Sequence, residues 1–520
     1  MSAPERGWPR IILNDDASNF LYSWDDVGAK DLRIYLSRLG GTQVDMVAYC
    51  VAFGGYVTYY ESEVAEPVGT GFTLTENVRQ RRWAHNRRRL REEAGDYIGL
   101  VFATLAEMGI PAVASFRMND AHMSSDPAGP VAGRFWMNHP QWRLGEPYGY
   151  YASCLDYAVP QVREYLRRLV LEVLGKFPDI AGIELDGMRS PFFFHEGEGE
   201  KSAPIMTEFI RQVRGDLADA AAARGGERYL LRVNVPRSPE LALETGMDVA
   251  AWATEGLVDG VSPGCYGTDF QLPIERWQQI CGNAVAVHAY INCSRAMGRY
   301  HSLEEYRGAA ANAWGAGADG VYLFNLPCLD ELAFLTPVPV DRPPFPPPEF
   351  SPQCGHPDLD RARQALVELG DPQALAHADK RMLFYTDPPR YRHYPQEVAA
   401  ISRLASEPAE LVWRCYEDLE RAEVTIELKL VGITIHDEFA FALNGEPVEA
   451  ERIERLHSAN GRDARIHSIP LAPYSQYTIR PRAEWLRRGE NTLAVTLVER
   501  EPDLMGEIEV REMEVEASYD

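Results

Sequence analysis

Between residues 10 and 325 the chain repeats one unit eight times: a short apolar run, a polar or glycine break, then a segment with helical spacing. The runs are Arg10–Leu13, Val44–Phe53, Pro111–Arg117, Ile180–Asp186, Tyr229–Val235, Gly260–Pro263, Ala284–Asn292 and Gly320–Asn325. Between them, segments such as Lys30–Leu39, Leu90–Met108, Val159–Leu174, Ala203–Ala223, Pro239–Glu255 and Leu303–Trp314 carry an apolar face at helical spacing. Apolar runs joined by helices are what parallel strands buried on both faces require. Eight such units predict a closed (β/α)8 TIM barrel with enlarged loops after strands two and three. A doubly wound open sheet would want a glycine-rich phosphate loop after strand one, and Asn14-Asp15-Asp16-Ala17 is nothing like one.

The pattern changes after the barrel. Pro343 to Pro352 is proline-rich and suits a stiff connector, and Leu359–Leu369 is expected as a packing helix. After about residue 385, period-two runs such as Glu423–Val431, Glu438–Leu443 and Asn491–Glu499 alternate with turn signals, Asn444-Gly445 among them. This predicts an antiparallel β-sandwich. The expected division is 1–340 barrel, 341–385 connector and helix, 386–520 sandwich. Leu486-Arg-Arg-Gly-Glu-Asn-Thr-Leu-Ala-Val495 resembles the closing strands of galactose-binding-like jelly rolls.

With 520 residues, 45% of them hydrophobic, the chain has material for two cores. A net charge of −25 argues against nucleic acid and anionic membrane surfaces, which need basic patches. No apolar run approaches the roughly 20 residues of a membrane helix, and the first ten residues are polar. The eight cysteines form no CxxC. Free thiols in a reducing cytoplasm are the expectation, an exported chain with its signal removed being the alternative. No cofactor motif is present, so none is expected.

Strand four carries the candidate chemistry. Alternation puts Glu184 and Asp186 on one face, with Ile183 and Leu185 on the other. Two inward carboxylates would be intolerable in a closed core unless they line a site. The other runs also turn polar towards their carboxyl ends: Asn14 and Asp16, then Ser115, Arg117 and Asn119, then Arg232 and Asn234, then His288, Tyr290 and Asn292, and finally Asn325. A purely structural barrel would fill those layers with Val, Ile and Leu. Glu184 lies about 6–7 Å deeper than Asp186. It is expected mainly as a structural anion paired with Arg117 and Arg232, with a catalytic role as the alternative. Asp186, at the rim, is the candidate catalytic group. The two stack along one strand and cannot easily straddle a bond, so a partner carboxyl should come from another loop. Asp269, in Pro263-Gly-Cys-Tyr-Gly-Thr-Asp269, Asp16 and Asp120 are the candidates. Asp16, Arg117, Asn119, Asp120, His122, Arg189, Asn234, Tyr266, His288, Asn292 and Asn325 are expected to hold substrate, and Trp136 to stack on it. A metal site from Asp120, His122, Asp186 and His288 is weighed and set below hydrogen bonding, since no paired-histidine helix motif supports it.

Leu155-Asp-Tyr-Ala-Val-Pro-Gln-Val-Arg-Glu-Tyr-Leu166, followed by Ile180-Ala-Gly-Ile-Glu-Leu-Asp-Gly-Met-Arg189, resembles the uncharacterised glycosyl-hydrolase-like barrel families of bacteria. The Leu-Asp-Gly end is similar to the fourth strand of α-L-fucosidases, where an aspartate nucleophile follows two aromatics. Here Glu184 and Leu185 stand in their place, so a fucose substrate is not implied. The resemblance implies a glycoside hydrolase using two carboxylates on a carbohydrate substrate, with a proton donor often drawn from the loop after strand six, which makes Asp269 the first choice over Asp16 and Asp120. The competing readings are a carbohydrate-binding barrel without turnover and a metal-dependent sugar lyase or isomerase.

Overall fold

The computed structural model describes residues 7–23, 25–53, 56–70, 78–121, 131, 133–265, 267–292, 294–296, 299–326, 357–385, 399–405, 407–417, 419, 421–458 and 474–519. The chain divides into two compact units. One holds Met1–Cys265, Pro273–Cys293 and Gly317–Gly370; the other holds Tyr266–Leu272, Ser294–Ala316 and Asp371–Asp520.

The first unit is the barrel. Its strands are β1 Ile11–Asp15, β2 Val44–Phe53, β3 Ala112–Arg117, β4 Gly182–Asp186, β5 Leu230–Pro236, β6 Gly260–Gly264, β7 Ala286–Asn292 and β8 Gly320–Phe324. Each pairs in parallel with the next, and β8 pairs back onto β1, so the ring closes without a free edge. Ile12, Met46, Ala48, Val113, Tyr290, Tyr322 and Phe324 pack together as a buried cluster. Large polar side chains fit among them because glycines stand next to them. A Cβ on Gly260 would strike the Arg232 guanidinium, and one on Gly320 would strike the His288 ring and the Pro9 carbonyl.

The helices follow the expected spacing, with two differences. The stretch read as Leu90–Met108 is two helices, Val78–Ala94 and Tyr97–Glu107. Gly95 takes a positive φ of 76°, and the Asp96 carboxylate then caps the second helix by accepting Ile98 N. Pro239–Glu255 likewise divides into Pro239–Glu244 and Val249–Thr254, with Gly246 at φ 90° and Asp248 as the new cap. Among the described residues no helix is long and apolar enough to cross a membrane.

The second unit is a β-sandwich. One antiparallel sheet runs β9 Lys380–Phe384, β17 Ile508–Ser518, β12 Glu423–Val431, β15 Tyr474–Ile479, β14 Ile453–Ser458, with β10 Ala399–Ile401 also on β17. The sheet thus takes in Lys380–Phe384, ahead of residue 386. The other sheet orders β11 Ala409–Cys415, β16 Gly489–Glu499 and β13 Glu438–Leu443. Burial alternates residue by residue along β12, and Phe384–Trp413 and Phe441–Tyr477 ring contacts at 5.4 and 5.2 Å join the inner faces. The Asn-Gly signal forms its hairpin, with φ 52° at Asn444 and 91° at Gly445. Asn491 of the Arg-Arg-Gly-Glu-Asn motif is fully buried and spends its amide on Arg487, Gly489 and Asn444, so the motif locks a turn.

Candidate functional site

In β4 the pleat brings Glu184 and Asp186 to the inside, and both are at most 1% exposed. Register places Arg117, Asp186, Asn234 and Ser262 level with one another across β3 to β6. Two residues deeper, Ser115, Glu184, Arg232 and Gly260 form the next layer.

The upper layer is organised by Arg117. One terminal nitrogen donates to Asp16 Oδ1, the other to Asp120 Oδ2 at 2.5 Å. Asp16 is reached from β8 as well. Asn325 takes φ 58°, a left-handed turn that asparagine tolerates, and its Nδ2 donates to Asp16 Oδ2 at 2.7 Å. Asp15 points the other way, accepting from Tyr35 Oη at 2.6 Å and from Arg38 at 3.2 Å. Burial alone would raise Asp16, but the Arg117 and Arg189 charges outweigh it and the carboxyl is held low. Asp186 goes the other way. Burial lifts its pKa against the pull of Arg117 and Arg189, while Met188 N donates to Oδ1 at 3.0 Å. The Arg189 guanidinium lies 5.3 Å from the Phe324 ring.

The lower layer differs from the expectation for Glu184. Arg117 is spent on Asp16 and Asp120, so no Arg117–Glu184 pair forms. Arg232 turns to Ser262 Oγ at 3.3 Å and His288 Nδ1 at 3.1 Å. Glu184 is held by hydroxyls instead: Ser115 Oγ at 2.8 Å and Tyr322 Oη at 2.7 Å both donate to Oε1. Among the described residues its Oε2, buried, has no hydrogen-bond partner, and neither has Asn234 Oδ1. Burial, then the charge of Asp186, lifts Glu184 to about 7. Tyr322 also accepts from Asn234 Nδ2 at 3.0 Å. Sequence reasoning missed Tyr322, since a tyrosine inside an apolar run reads as core and only its tip carries the signal.

Asp186, Glu184, Asp16, Arg117, Asp120, Asn234 and Asn325 thus come together, with the Arg189 charge felt by both Asp16 and Asp186. Others take different places. His288 is level with Gly320 at the amino end of β8, and its Nε2 donates to the Pro9 carbonyl at 2.8 Å. Burial and the Arg232 charge hold it neutral, so it braces the barrel floor and does not serve the mouth. Asn119 is committed to backbone: Nδ2 donates to Leu155 O and Phe192 O at 2.9 and 2.7 Å, and Oδ1 accepts Leu155 N at 3.0 Å. It staples two loops where substrate binding was expected. Trp136 is buried too, donating to Ser153 O at 2.8 Å, with Arg143 stacked 3.4 Å from its ring centroid. That guanidinium occupies a ring face a sugar would need. Asn292 ends β7 level with Phe324. Asp269 belongs to the second unit, where it accepts Gln271 N at 2.8 Å. His122 and Tyr266 lie outside the described residues. Among the described residues no group of three or more His, Cys, Asp or Glu is placed to hold a metal ion.

The class this defines is a (β/α)8 barrel with a buried, arginine-braced carboxylate site at its carboxyl end, followed by a β-sandwich. No family model and no curated protein matches the chain. Solved structures similar to it include a GH29 α-L-fucosidase from Bacteroides thetaiotaomicron, at 10% identity and TM-score 0.38 over 98% of this chain and 94% of that one. A Ruminococcus gnavus GH29 fucosidase in complex with fucose is similar at 10% identity and TM-score 0.37, covering 95% and 93%. For α-L-fucosidase isoenzyme 2 from Paenibacillus thiaminolyticus the values are 12% and 0.39, covering 61% of this chain and only 45% of that one.

Proposed function

We propose that the chain is a glycoside hydrolase working at the carboxyl-terminal mouth of the barrel, with Asp186 as the carboxylate that faces the anomeric carbon. The observation that carries this reading is the layer around Asp186. An inward carboxylate ends β4, level with Arg117 and Asn234, and its neighbours Asp16 and Asp120 are fixed by that arginine. Whichever stereochemical course is followed, one carboxylate must be ionised, to attack C1 or to activate the water that does, and a second carboxyl must give its proton to the leaving oxygen. Asp16, held low, is suited to accept sugar hydroxyls and poorly suited to give a proton.

The pairing of Asp16 and Asp120 on Arg117 supports a second reading, a carbohydrate-binding barrel without turnover. A screen of aryl glycosides and polysaccharides with wild type, Asp186→Asn and Asp269→Asn separates the two. The glycosidase reading expects turnover that Asp186→Asn abolishes while the variant stays folded, because Asn keeps the shape but cannot attack or stabilise an oxocarbenium charge. Asp269→Asn tests the donor expected from sequence: it should slow natural glycosides more than substrates with good leaving groups. Binding without turnover selects the second reading.

A further inference from the structure

We propose that Glu184 carries a proton on Oε2 and acts as a positioning residue for Asp186, keeping that carboxylate ionised in a site with too few free cations for two charges. The geometry comes first. Glu184 and Asp186 are two residues apart on one face of β4, and both are buried. None of the cations around them forms an ion pair with Glu184 among the described residues. Arg117, one layer above on β3, bridges Asp16 and Asp120. Arg232, level with Glu184 on β5, gives Nη2 to Ser262 and His288; its Nε has no hydrogen-bond partner among the described residues, and its charge draws Glu184 down less than burial and Asp186 lift it. His288, on β7, is neutral, since Nδ1 accepts from Arg232 while Nε2 donates to Pro9 O.

The remaining contacts of Glu184 are hydroxyls, Ser115 from β3 and Tyr322 from β8, and both go to Oε1. Tyr322 is pushed well above its ordinary range by burial and by Glu184, so it stays a donor. An unpaired, buried carboxylate oxygen is costly. A proton on Oε2 turns that orphan acceptor into a donor and leaves the two bonds to Oε1 intact. Asn234 supplies a matching need: it shares the Tyr322 hydroxyl with Glu184, and its Oδ1 is itself a buried acceptor without a partner among the described residues. Two carboxylates this close do not both ionise readily, and here the upper one has Arg117 and Arg189 for company while the lower one has only hydroxyls and a committed arginine. Burial and the Asp186 charge, which lift Glu184 to about 7, act in the same direction.

The consequence for catalysis rests on the reading of Asp186 above; the proton itself does not. Infrared difference spectra of the unliganded protein, between about pH 5.5 and pH 8.5, test the proton directly. Wild type should lose one protonated-carboxyl band with a midpoint near neutrality, and Glu184→Gln should lack that change. Asp186→Asn, by removing the like charge, should move the midpoint to lower pH. Tyr322→Phe, by removing a donor to the charged form, should move it higher and serves if Glu184→Gln does not fold. No carboxyl titrating in this range, or the band persisting in Glu184→Gln, overturns the proposal. If an aryl glycoside is hydrolysed, Glu184→Gln should keep its rate near pH 6 and flatten the alkaline limb of the profile. Loss at every pH would make Glu184 a catalytic residue and overturn the positioning role. Absence of any hydrolysis with the infrared change intact would sink the glycosidase reading alone.

Discussion

Removing the Arg117 guanidinium should be the most damaging single change in the barrel, and its cost should depend on pH. Its side chain is only 6% exposed, and the two carboxylates it bridges are 7% and 0% exposed. Arg117→Met therefore removes the guanidinium that bridges two buried carboxylates, leaving Asp16 to the Arg189 charge. Breaking a buried pair in this way costs about 3–5 kcal/mol. The pH dependence follows from Asp16. In wild type its carboxyl lies below the ordinary 3.8, so its contribution is present above that value and is lost as pH falls through the folded pKa. Without Arg117, burial is the largest remaining influence and the carboxyl rises; the folded state is then penalised as pH climbs through the new value. The gap between variant and wild type should be wide at about pH 7.5 and narrow towards about pH 4.5. Urea unfolding at both pH values measures it, and adding Asp16→Asn and Asp120→Asn to Arg117→Met should recover much of the loss. A loss below about 1 kcal/mol at pH 7.5, an equal loss at both pH values, or no recovery in the triple variant would refute the bridge as the organising contact.

Glu184→Gln should stabilise the protein at alkaline pH, opposite in sign to the loss expected for an ion-paired glutamate. A carboxyl raised from 4.5 to about 7 weakens the folded state by about 3 kcal/mol once pH exceeds that value and not at all below 4.5, so wild type should fall towards pH 8 relative to the variant. Urea midpoints that stay parallel from acid to alkaline pH would contradict this. Asn119→Ala strands the backbone groups of Leu155 and Phe192 and should cost about 3 kcal/mol. Thermal melts check that cost, and loss of activity without loss of stability would restore Asn119 as a substrate ligand.

The eight strands were legible because a parallel strand buried on both faces must read as an unbroken apolar run, and the inward faces were legible because the pleat has period two. Alternation alone put Glu184, Asp186, Arg117, Arg232 and Asn234 inside the barrel. It gives a face and no height. His288 shares its face with Asn292, yet sits level with Gly320 at the floor, because adjacent strands are staggered by a register that no single strand encodes. The break at Gly95-Asp96 was readable as a glycine stop followed by an N-cap, and apolar continuity across it hid the signal.

Partner choice was the part that sequence could not rank. Arg117 has four carboxylates in reach, Glu184 and Asp186 on the next strand among them, and it takes Asp16 and Asp120. Both follow strand ends, where the backbone is free to turn and aim a short side chain at the guanidinium, whereas Glu184 is fixed mid-strand one layer below. The charge on Glu184 is thus decided elsewhere. It depends on how the turns after β1 and β3 consume Arg117, and only then on the strand that carries it. A site of this kind shows its carboxylates in the sequence but not their protons, because a proton's place is set by what every neighbouring donor has already been given to.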